Sequence, residues 1–430
     1  MPDSAPHGAS SSRVTGLIQN ALQLMRERRL DDAARAWNEI LSLSPEHAQA
    51  LFYLGQHALY RKDWLGARQL LQRASQADPS NPAAPLNLSF AFRGEGDTRN
   101  EMDALTRSLS IDPYFFPALL AKGRVYERTG ALRRAAQTYK DVLTIAPPDD
   151  QLTGEMQQAM RHARQVIENN ANDLDAFLSH RLGLAASRHT GSDMRRFSEC
   201  QGIATGRRKV FTQNCSLLYF PWLPAIPFYD RDQFPWLKEL EVSTDTIRSE
   251  LLGALREESA GFNPYIDRPD GAPLNQWAEL NRSMDWSAFF LWNNSVRVEK
   301  HCNRCPKTSA LMDTLPLIDI PRLGPTVLFS ALEPHAHIPP HTGSTNVRLI
   351  VHLPLIVPPG CRFRVGNETR EWREGEAWVF DDTIDHEAWN DSDQKRVIMM
   401  IDVWNPFLTA AERDLASELL NGIQDFYSTE

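Results

Sequence analysis

Along the first third of the chain, apolar and polar positions follow the period of packed helices, and the pattern recurs every 34 residues. Four prolines mark the period, at positions 45, 79, 113 and 147. Small residues keep it in two columns, one of Gly55, Ser89 and Gly123, the other of Ala33, Ala67 and Ala135 with Glu101 as its exception. Proline ends a helix because it lacks an N–H and clashes with the preceding turn. A 34-residue period of this kind is typical of tetratricopeptide repeats.

Four such repeats predict an all-α solenoid that begins at residue 14, after a disordered lead over residues 1–13. A further polar helix is expected to cap the stack and to extend the repeat region to residue 180. Solenoids of this type present a concave groove. We therefore expect a peptide or protein partner in the groove; support of the remaining chain, or a dimer contact, is the alternative.

Beyond about residue 200 the helical period disappears, and prolines, aromatic residues and short strands become frequent. Five segments are predicted strands, at residues 326–332, 346–357, 361–365, 376–382 and 395–404. Short strands separated by turn residues indicate a small barrel or jelly roll. Residues 409–430 are predicted to form a closing helix, with Thr409 and Glu412 as a capping box. The predicted fold class is thus multidomain α + β.

Composition narrows the class of protein. The net charge of −9 argues against a nucleic-acid partner, which would require a basic face. No apolar run approaches the ~18 residues of a membrane span, and the first residues lack the layout of a signal peptide. Five cysteines without an export signal indicate reduced thiols, and the pair Cys302 and Cys305 is half of a zinc site at most. We expect a cytoplasmic protein.

Histidines are concentrated near the predicted strand ends. His341 ends the loop "HIPPHTG", and His386 follows the strand that contains "WVFDD". A barrel mouth would bring these two residues together. His352 lies one strand inward and shares a strand face with Arg348, because side chains alternate along a strand.

Arg396 begins the last predicted strand. A buried arginine requires an anion, and the nearby acids are Asp381 and Asp382. A dicarboxylate ligand would satisfy this requirement.

Two segments carry a family resemblance, "SALEPHAHIPPHTGSTNVRLIVHLPL" and "FDDTIDHEAWNDSDQKRVIMMIDVWNP". They resemble the aspartyl/asparaginyl β-hydroxylases, which are Fe(II)- and 2-oxoglutarate-dependent oxygenases built on a double-stranded β-helix, or jelly roll. The resemblance implies such a domain over residues 181–408, with the β-helix core at about 326–406. Tetratricopeptide repeats ahead of the oxygenase domain also occur in this family.

The resemblance assigns iron to His341 and His386. Related oxygenases add a carboxylate two residues after the first histidine, but this chain has Gly343 there. The family pattern instead implies that water completes the metal coordination and that Asp382 orients it. His341, His386 and Asp382 are the expected catalytic residues.

The resemblance also implies a 2-oxoglutarate site. Arg396 would pair with the distal carboxylate, and Ser330 would donate a hydrogen bond to the same end. His352 would contact the carboxylate at the iron end. Arg348 matches the arginine at the start of the family's strand, and Trp286 matches an aromatic residue of the pocket wall.

Two departures concern the substrate. A second arginine found in some animal members is Ile350 here, and the partner of Cys302 in their small disulfide loop is Ser309. His335 and His337 match no ligand position. The implied function is O2-dependent hydroxylation of the β-carbon of an Asp- or Asn-type residue, in a peptide or protein bound partly by the repeats. The alternatives are a lipid acyl-chain hydroxylase of the same family and a non-catalytic tetratricopeptide scaffold.

Overall fold

The computed structural model describes residues 7–189, 193–256 and 261–428. Its chain divides into two compact units, Met1–Arg207 and Arg208–Glu430. Within the described residues no helix is both long and apolar enough to span a membrane.

The first unit consists of antiparallel helix pairs followed by one long helix, as the 34-residue period predicts. Its helices are α1 His7–Arg26, α2 Leu30–Leu43, α3 Ala48–Tyr60, α4 Trp64–Ala77, α5 Ala83–Glu95, α6 Thr98–Ile111, α7 Phe116–Arg128, α8 Leu132–Ile145, α9 Gly154–Ala186 and α10 Arg195–Thr205. The helix α9 packs against α8, as expected of the capping helix. The tetratricopeptide prediction is confirmed.

The small columns lie where helices of a pair touch. A side chain at Gly55 would overlap Leu71, and one at Gly123 would overlap Tyr139. The exception, Glu101, is 3% exposed and pairs with Arg128. Larger residues would therefore separate the helices of these pairs.

The disordered lead predicted over residues 1–13 is wrong for residues 7–13, which are helical. Residues 1–6 lie outside the described residues, and α1 already begins at His7. Apolar residues of α1, including Leu17 and Ile18, pack with Trp37 of α2. Once a packed helix is nucleated, each further residue adds a hydrogen bond at little cost, so the helix extends backward from this contact.

The second unit is built on two antiparallel sheets. Its strands are β1 Asn263–Pro264, β2 Trp286–Asn293, β3 Val296–Arg297, β4 Val327–Leu332, β5 His337–His341, β6 Arg348–Ile356, β7 Cys361–Val365, β8 Glu368–Glu371, β9 Trp378–Phe380, β10 His386–Asn390 and β11 Arg396–Trp404. The larger sheet has the order β1-β2-β4-β11-β6-β9, with β3 paired to β2. The smaller sheet has the order β5-β10-β7-β8.

All five predicted strands are present, and the loop predicted at "HIPPHTG" is wrong in part. Residues 337–341 form β5, although it contains Pro339 and Pro340. The strand β5 lies at the edge of its sheet and pairs with β10. Proline is tolerated at an edge because one side of the strand needs no donors.

The larger sheet separates two cores. Val397, Met399 and Ile401 of β11 enter the core on one face, which also receives residues of the helices α11 Leu237–Val242, α12 Thr244–Arg256 and α14 Pro306–Met312. The alternate residues of β11 face the other way, where Ile398 joins the apolar cluster shared with the smaller sheet. The site lies on this second face.

One short and one long helix complete the unit. The helix α13 Glu299–Cys302 precedes α14, and α15 Ala410–Ser428 follows the last strand. The capping box is confirmed, because Thr409 N donates to Glu412 Oε2 at 2.8 Å and Glu412 N donates to Thr409 Oγ1 at 3.3 Å. All five cysteines are free thiols, and Ser309 Oγ donates to the carbonyl of Cys302.

Candidate functional site

A cavity of about 400 Å³ in the second unit brings together all eight predicted site residues. The larger sheet contributes residues from β2, β4, β6 and β11, and the smaller sheet contributes the histidines at the facing ends of β5 and β10. The predicted residues that line the cavity are Trp286, Ser330, His341, Arg348, His352, Asp382, His386 and Arg396.

His341 and His386 are cross-strand partners in the register of β5 and β10. Their ring centroids are 4.0 Å apart. The Nδ1–H of His341 donates to the carbonyl of Pro339 at 2.8 Å, and that of His386 donates to the carbonyl of Ile384 at 3.0 Å. With Nδ1 engaged, the lone pair of each imidazole is on Nε2, the atom that is free to bind a metal.

Burial keeps both imidazoles neutral. Desolvation and the neighbouring His386 lower the pKa of His341 to about 3. Burial likewise lowers the pKa of His386 to about 4. Neutral imidazoles are the form that binds metal cations. In the described ranges no three His, Cys, Asp or Glu side chains form a ready metal-binding group.

The far end of the cavity holds a buried guanidinium. Arg396 is 1% exposed, and its Nη1 donates to the carbonyl of Ser330 at 3.3 Å. Its Nε has no hydrogen-bond partner among the described residues. Burial lowers the pKa of Arg396 to about 10. Trp286 completes this corner by donating its indole N–H to Ser330 Oγ at 3.1 Å.

His352 presents two unused ring nitrogens. It is 4% exposed, and neither Nδ1 nor Nε2 has a partner in the described part of the chain. Burial and the charge of Arg396 hold the pKa of His352 well below its usual value. A buried polar atom without a partner is rare in a folded protein and points to a missing ligand or water.

Arg348 is held by two carboxylates, one of which the sequence analysis missed. Its Nη2 lies 2.9 Å from Oδ2 of Asp382, and its Nη1 lies 3.5 Å from Oδ2 of Asp402. Burial disfavours its charge, but Asp402 and Asp382 hold the pKa of Arg348 above its usual value. Asp402 lies an even number of residues after Arg396 on β11, so both side chains face the cavity. This spacing is the signal that could have revealed Asp402.

Three aromatic residues of the cavity were also missed. Tyr265 stacks on Trp286 with ring centroids 4.1 Å apart, Trp277 packs edge-on against His341, and Trp372 lies beneath Arg396. They come from loops and turns around the sheets, where no strand pattern indicates a position.

Other candidates lie outside the cavity. His335 pairs with Asp393 and His337 with Glu387, and both histidines are exposed. Asp381 bonds Thr383 and Gln213 rather than an arginine.

Helical repeats joined to an antiparallel-sheet domain with a two-histidine pocket define the class of this protein. The family model of aspartyl/asparaginyl β-hydroxylase matches residues 241–406, and a tetratricopeptide-repeat model matches residues 18–82. The chain belongs to the aspartyl/asparaginyl β-hydroxylase family.

Proteins with several different names are similar to this chain in sequence. It is 28% identical to human aspartyl/asparaginyl beta-hydroxylase over 92% of this chain and 54% of that protein. It is 32% identical to aspartate beta-hydroxylase domain-containing protein 2 of Xenopus tropicalis, over 59% of this chain and 68% of that protein. It is 34% identical to ornithine lipid ester-linked acyl 2-hydroxylase of Rhizobium tropici, over 43% of this chain and 63% of that protein.

The chain spans about half the length of the human relative. Among solved structures, MamA shares 24% sequence identity with a TM-score of 0.29, over 30% of this chain and 77% of that one.

Proposed function

We propose that the protein is an Fe(II)- and 2-oxoglutarate-dependent dioxygenase that hydroxylates an unactivated C–H bond. The observation that carries the proposal is the pair His341 and His386 in one cavity with a buried arginine; each histidine uses Nδ1 for a main-chain hydrogen bond, which leaves Nε2 as the candidate metal ligand. The arginine, Arg396, has no acidic partner among the described residues. A cationic metal and a dianionic co-substrate would satisfy these groups together.

The residues present fit this metal and co-substrate. His341 and His386 would hold the iron, and Arg396 with Ser330 would hold the distal carboxylate of 2-oxoglutarate. His352, whose ring nitrogens are both unused, would contact the carboxylate near the metal. When bound, iron, 2-oxoglutarate and O2 together supply the oxidising chemistry, which is the cofactor's own.

The protein contributes orientation and exclusion of water. Asp382 is held by Arg348 through Oδ2, which leaves the buried Oδ1 free to accept a hydrogen bond from water at the metal. The aromatic rings around the cavity keep bulk water away from the reacting atoms.

We further propose that the two sheets are the walls of a double-stranded β-helix. The arrangement of the site supports this: Arg348, His352 and Arg396 come from the larger sheet, and His341 and His386 from the smaller one. One cavity lies between these two sets.

For the substrate, we propose an Asp- or Asn-type residue of a peptide or protein, bound partly by the repeats. The relatives that are named for hydroxylation of aspartyl or asparaginyl groups support this choice. A cavity of about 190 Å³ in the first unit, lined by the exposed Arg93, Arg124 and Arg128, supports a partner at the repeats.

A lipid acyl chain is the second candidate substrate. The Rhizobium tropici relative is named for acyl hydroxylation, and Phe290, Leu328 and Met400 give part of the cavity an apolar lining. Incubation of the enzyme with cell lysate and with a lipid extract distinguishes the candidates. A mass increase of one oxygen that requires 2-oxoglutarate is expected on peptides under the first proposal and on lipids under the second.

The enzymatic proposal is tested by reconstitution with Fe(II) in the absence of oxygen, followed by measurement of bound iron and of succinate release. We expect His341→Ala to lose both. The control is His335→Ala, which removes an exposed histidine outside the cavity and is expected to behave as wild type. Succinate release by His341→Ala at the wild-type rate would contradict the assignment of His341. Absence of bound iron and of succinate release in the wild type would instead favour a non-catalytic scaffold.

A further inference from the structure

Trp372 presents a buried hydrogen-bond donor to the cavity. It follows the strand β8 directly, is 5% exposed and lines the cavity. Its indole Nε1 is buried and has no partner among the described residues. A buried N–H left without an acceptor costs about 1–3 kcal/mol, so a donor in this position indicates an acceptor supplied by a ligand or by water.

The ring of Trp372 also supports Arg396. The guanidinium carbon lies 4.9 Å from the indole centroid, which is within the range of a cation–π contact. Phe363 and Trp378 stack on the indole of Trp372 at centroid distances of 5.4 and 5.8 Å. These contacts fix the plane of the ring against the arginine.

Two other tryptophans show why Trp372 is distinct. Trp286 lines the same cavity, but its indole N–H already donates to Ser330 Oγ. Trp378 has a buried Nε1 that is equally without a partner in the described residues, but it is not one of the cavity-lining side chains identified there. Within the described chain, Trp372 therefore combines a free donor with access to the cavity.

Two of the unused groups at this end of the cavity are donors. Arg396 Nε and Trp372 Nε1 are both buried donors with no acceptor in the described residues. An indole nitrogen and a guanidinium can only donate hydrogen bonds. A carboxylate, which only accepts, complements this set.

We propose that Trp372 binds the distal carboxylate of the co-substrate through its indole N–H, while its ring holds the guanidinium of Arg396 in place. The inference rests on the proposed 2-oxoglutarate site and adds a binding residue to it. The acid would then be held by the charge of Arg396, the hydroxyl of Ser330 and the indole of Trp372.

The test compares Trp372→Phe with Trp378→Phe. Each substitution removes one partnerless indole N–H from the same aromatic cluster and keeps an aromatic ring. The protein is loaded with Mn(II) in place of iron, and the Kd of 2-oxoglutarate is measured by calorimetry. Because a hydrogen bond to a charged group is lost, Trp372→Phe is expected to raise the Kd about tenfold. Trp378→Phe is expected to leave it within about twofold of the wild-type value.

A second ligand separates recognition of the carboxylate from a general effect on the cavity. 2-Oxobutanoate has the keto-acid end of 2-oxoglutarate but no distal carboxylate, so Trp372→Phe and wild type are expected to bind it equally. Equal binding of 2-oxoglutarate by Trp372→Phe and wild type would overturn the inference, as would an equal loss for both ligands. Failure of the wild-type protein to bind 2-oxoglutarate would instead overturn the proposed function itself.

Discussion

The carboxylate of Asp382 fills the space into which a side chain at position 343 would extend. A β-carbon added to Gly343 would overlap the carboxyl group of Asp382. The two residues are also joined through the main chain, because Gly343 N donates to the carbonyl of Asp382 at 2.6 Å. The lack of a side chain at position 343 and the position of Asp382 are thus two aspects of one arrangement.

The first prediction concerns this overlap. Gly343→Ala is expected to push Asp382 away from Arg348 and to lower the free energy of unfolding by about 1–3 kcal/mol. In a double-mutant cycle, Gly343→Ala should cost less when Asp382→Ala is already present, because the clash is gone. Urea unfolding of the four proteins measures the coupling. Gly253→Ala, which adds a β-carbon in open space on α12, is the control; strict additivity in the cycle would contradict the overlap.

The second prediction concerns the buried charge of Arg396. Replacing a buried charge by an apolar side chain of similar length removes its desolvation cost. Arg396→Met is therefore expected to stabilise the ligand-free protein by on the order of 1–3 kcal/mol. If 2-oxoglutarate binds as proposed, it is expected to raise the Tm of the wild type, and Arg396→Met is expected to lose this rise, because binding stabilises the folded state only where the site is intact. Calorimetric melting with and without the ligand measures both effects, and a ligand-induced shift retained by Arg396→Met would refute the assignment.

The third prediction is a pH dependence that arises from Asp381. Burial raises the pKa of Asp381 to about 6 from an ordinary 3.8, although Thr383 and Gln213 donate to it. A raised folded-state pKa contributes stability that is present below pH 3.8 and is lost as the pH rises through 6. The wild type should therefore lose about 3 kcal/mol relative to Asp381→Asn between pH 3.5 and 7.

Unfolding free energies of both proteins across that range measure the loss. Titrating groups common to the two proteins, including Asp402, cancel in the difference. A difference between wild type and variant that does not change with pH would show that Asp381 titrates normally.

The fourth prediction concerns Glu101, the acid in a column of small residues. It is 3% exposed, and Arg128 is its partner. Arg128→Ala is expected to lower the free energy of unfolding by about 1–2 kcal/mol, because the carboxylate is left buried and unpaired. In a Glu101→Ala background the same change should have little effect. Chemical unfolding provides the measurement, and Arg124→Ala, an exposed arginine on the same helix, is the matched control. Equal losses in both backgrounds would contradict the pairing.

The repeats could be predicted almost completely from the sequence because their contacts are local. The 34-residue spacing places Gly55 against Leu71 within one helix pair, and the same relation recurs in Gly123 and Tyr139. The strand-rich unit was predictable only in part. The strand β2 has buried residues at nearly every position, so it lacks the alternation that indicates a strand.

The residues of the site also divide into those that could be predicted from the sequence and those that could not. The two histidines, Arg396 and Ser330 could be assigned because a family motif contains them. Asp402 was missed. Its spacing from Arg396 could have placed it at the cavity, but its contact with Arg348, 54 residues away in the chain, depends on strand pairing. Trp372 stands outside the strands, and nothing local connects it to Arg396, so its position beneath the guanidinium became visible only in the fold.

The cross-strand pairing of His341 with His386 depends on the main chain and not on the imidazole side chains. Because the hydrogen bonds between β5 and β10 hold the two imidazoles side by side, the proposed metal would bind without a rearrangement of the chain. Conversely, a variant in which either histidine is replaced is expected to keep its strands and its cores. Such a variant is expected to lose the proposed metal site while keeping the fold that surrounds the cavity.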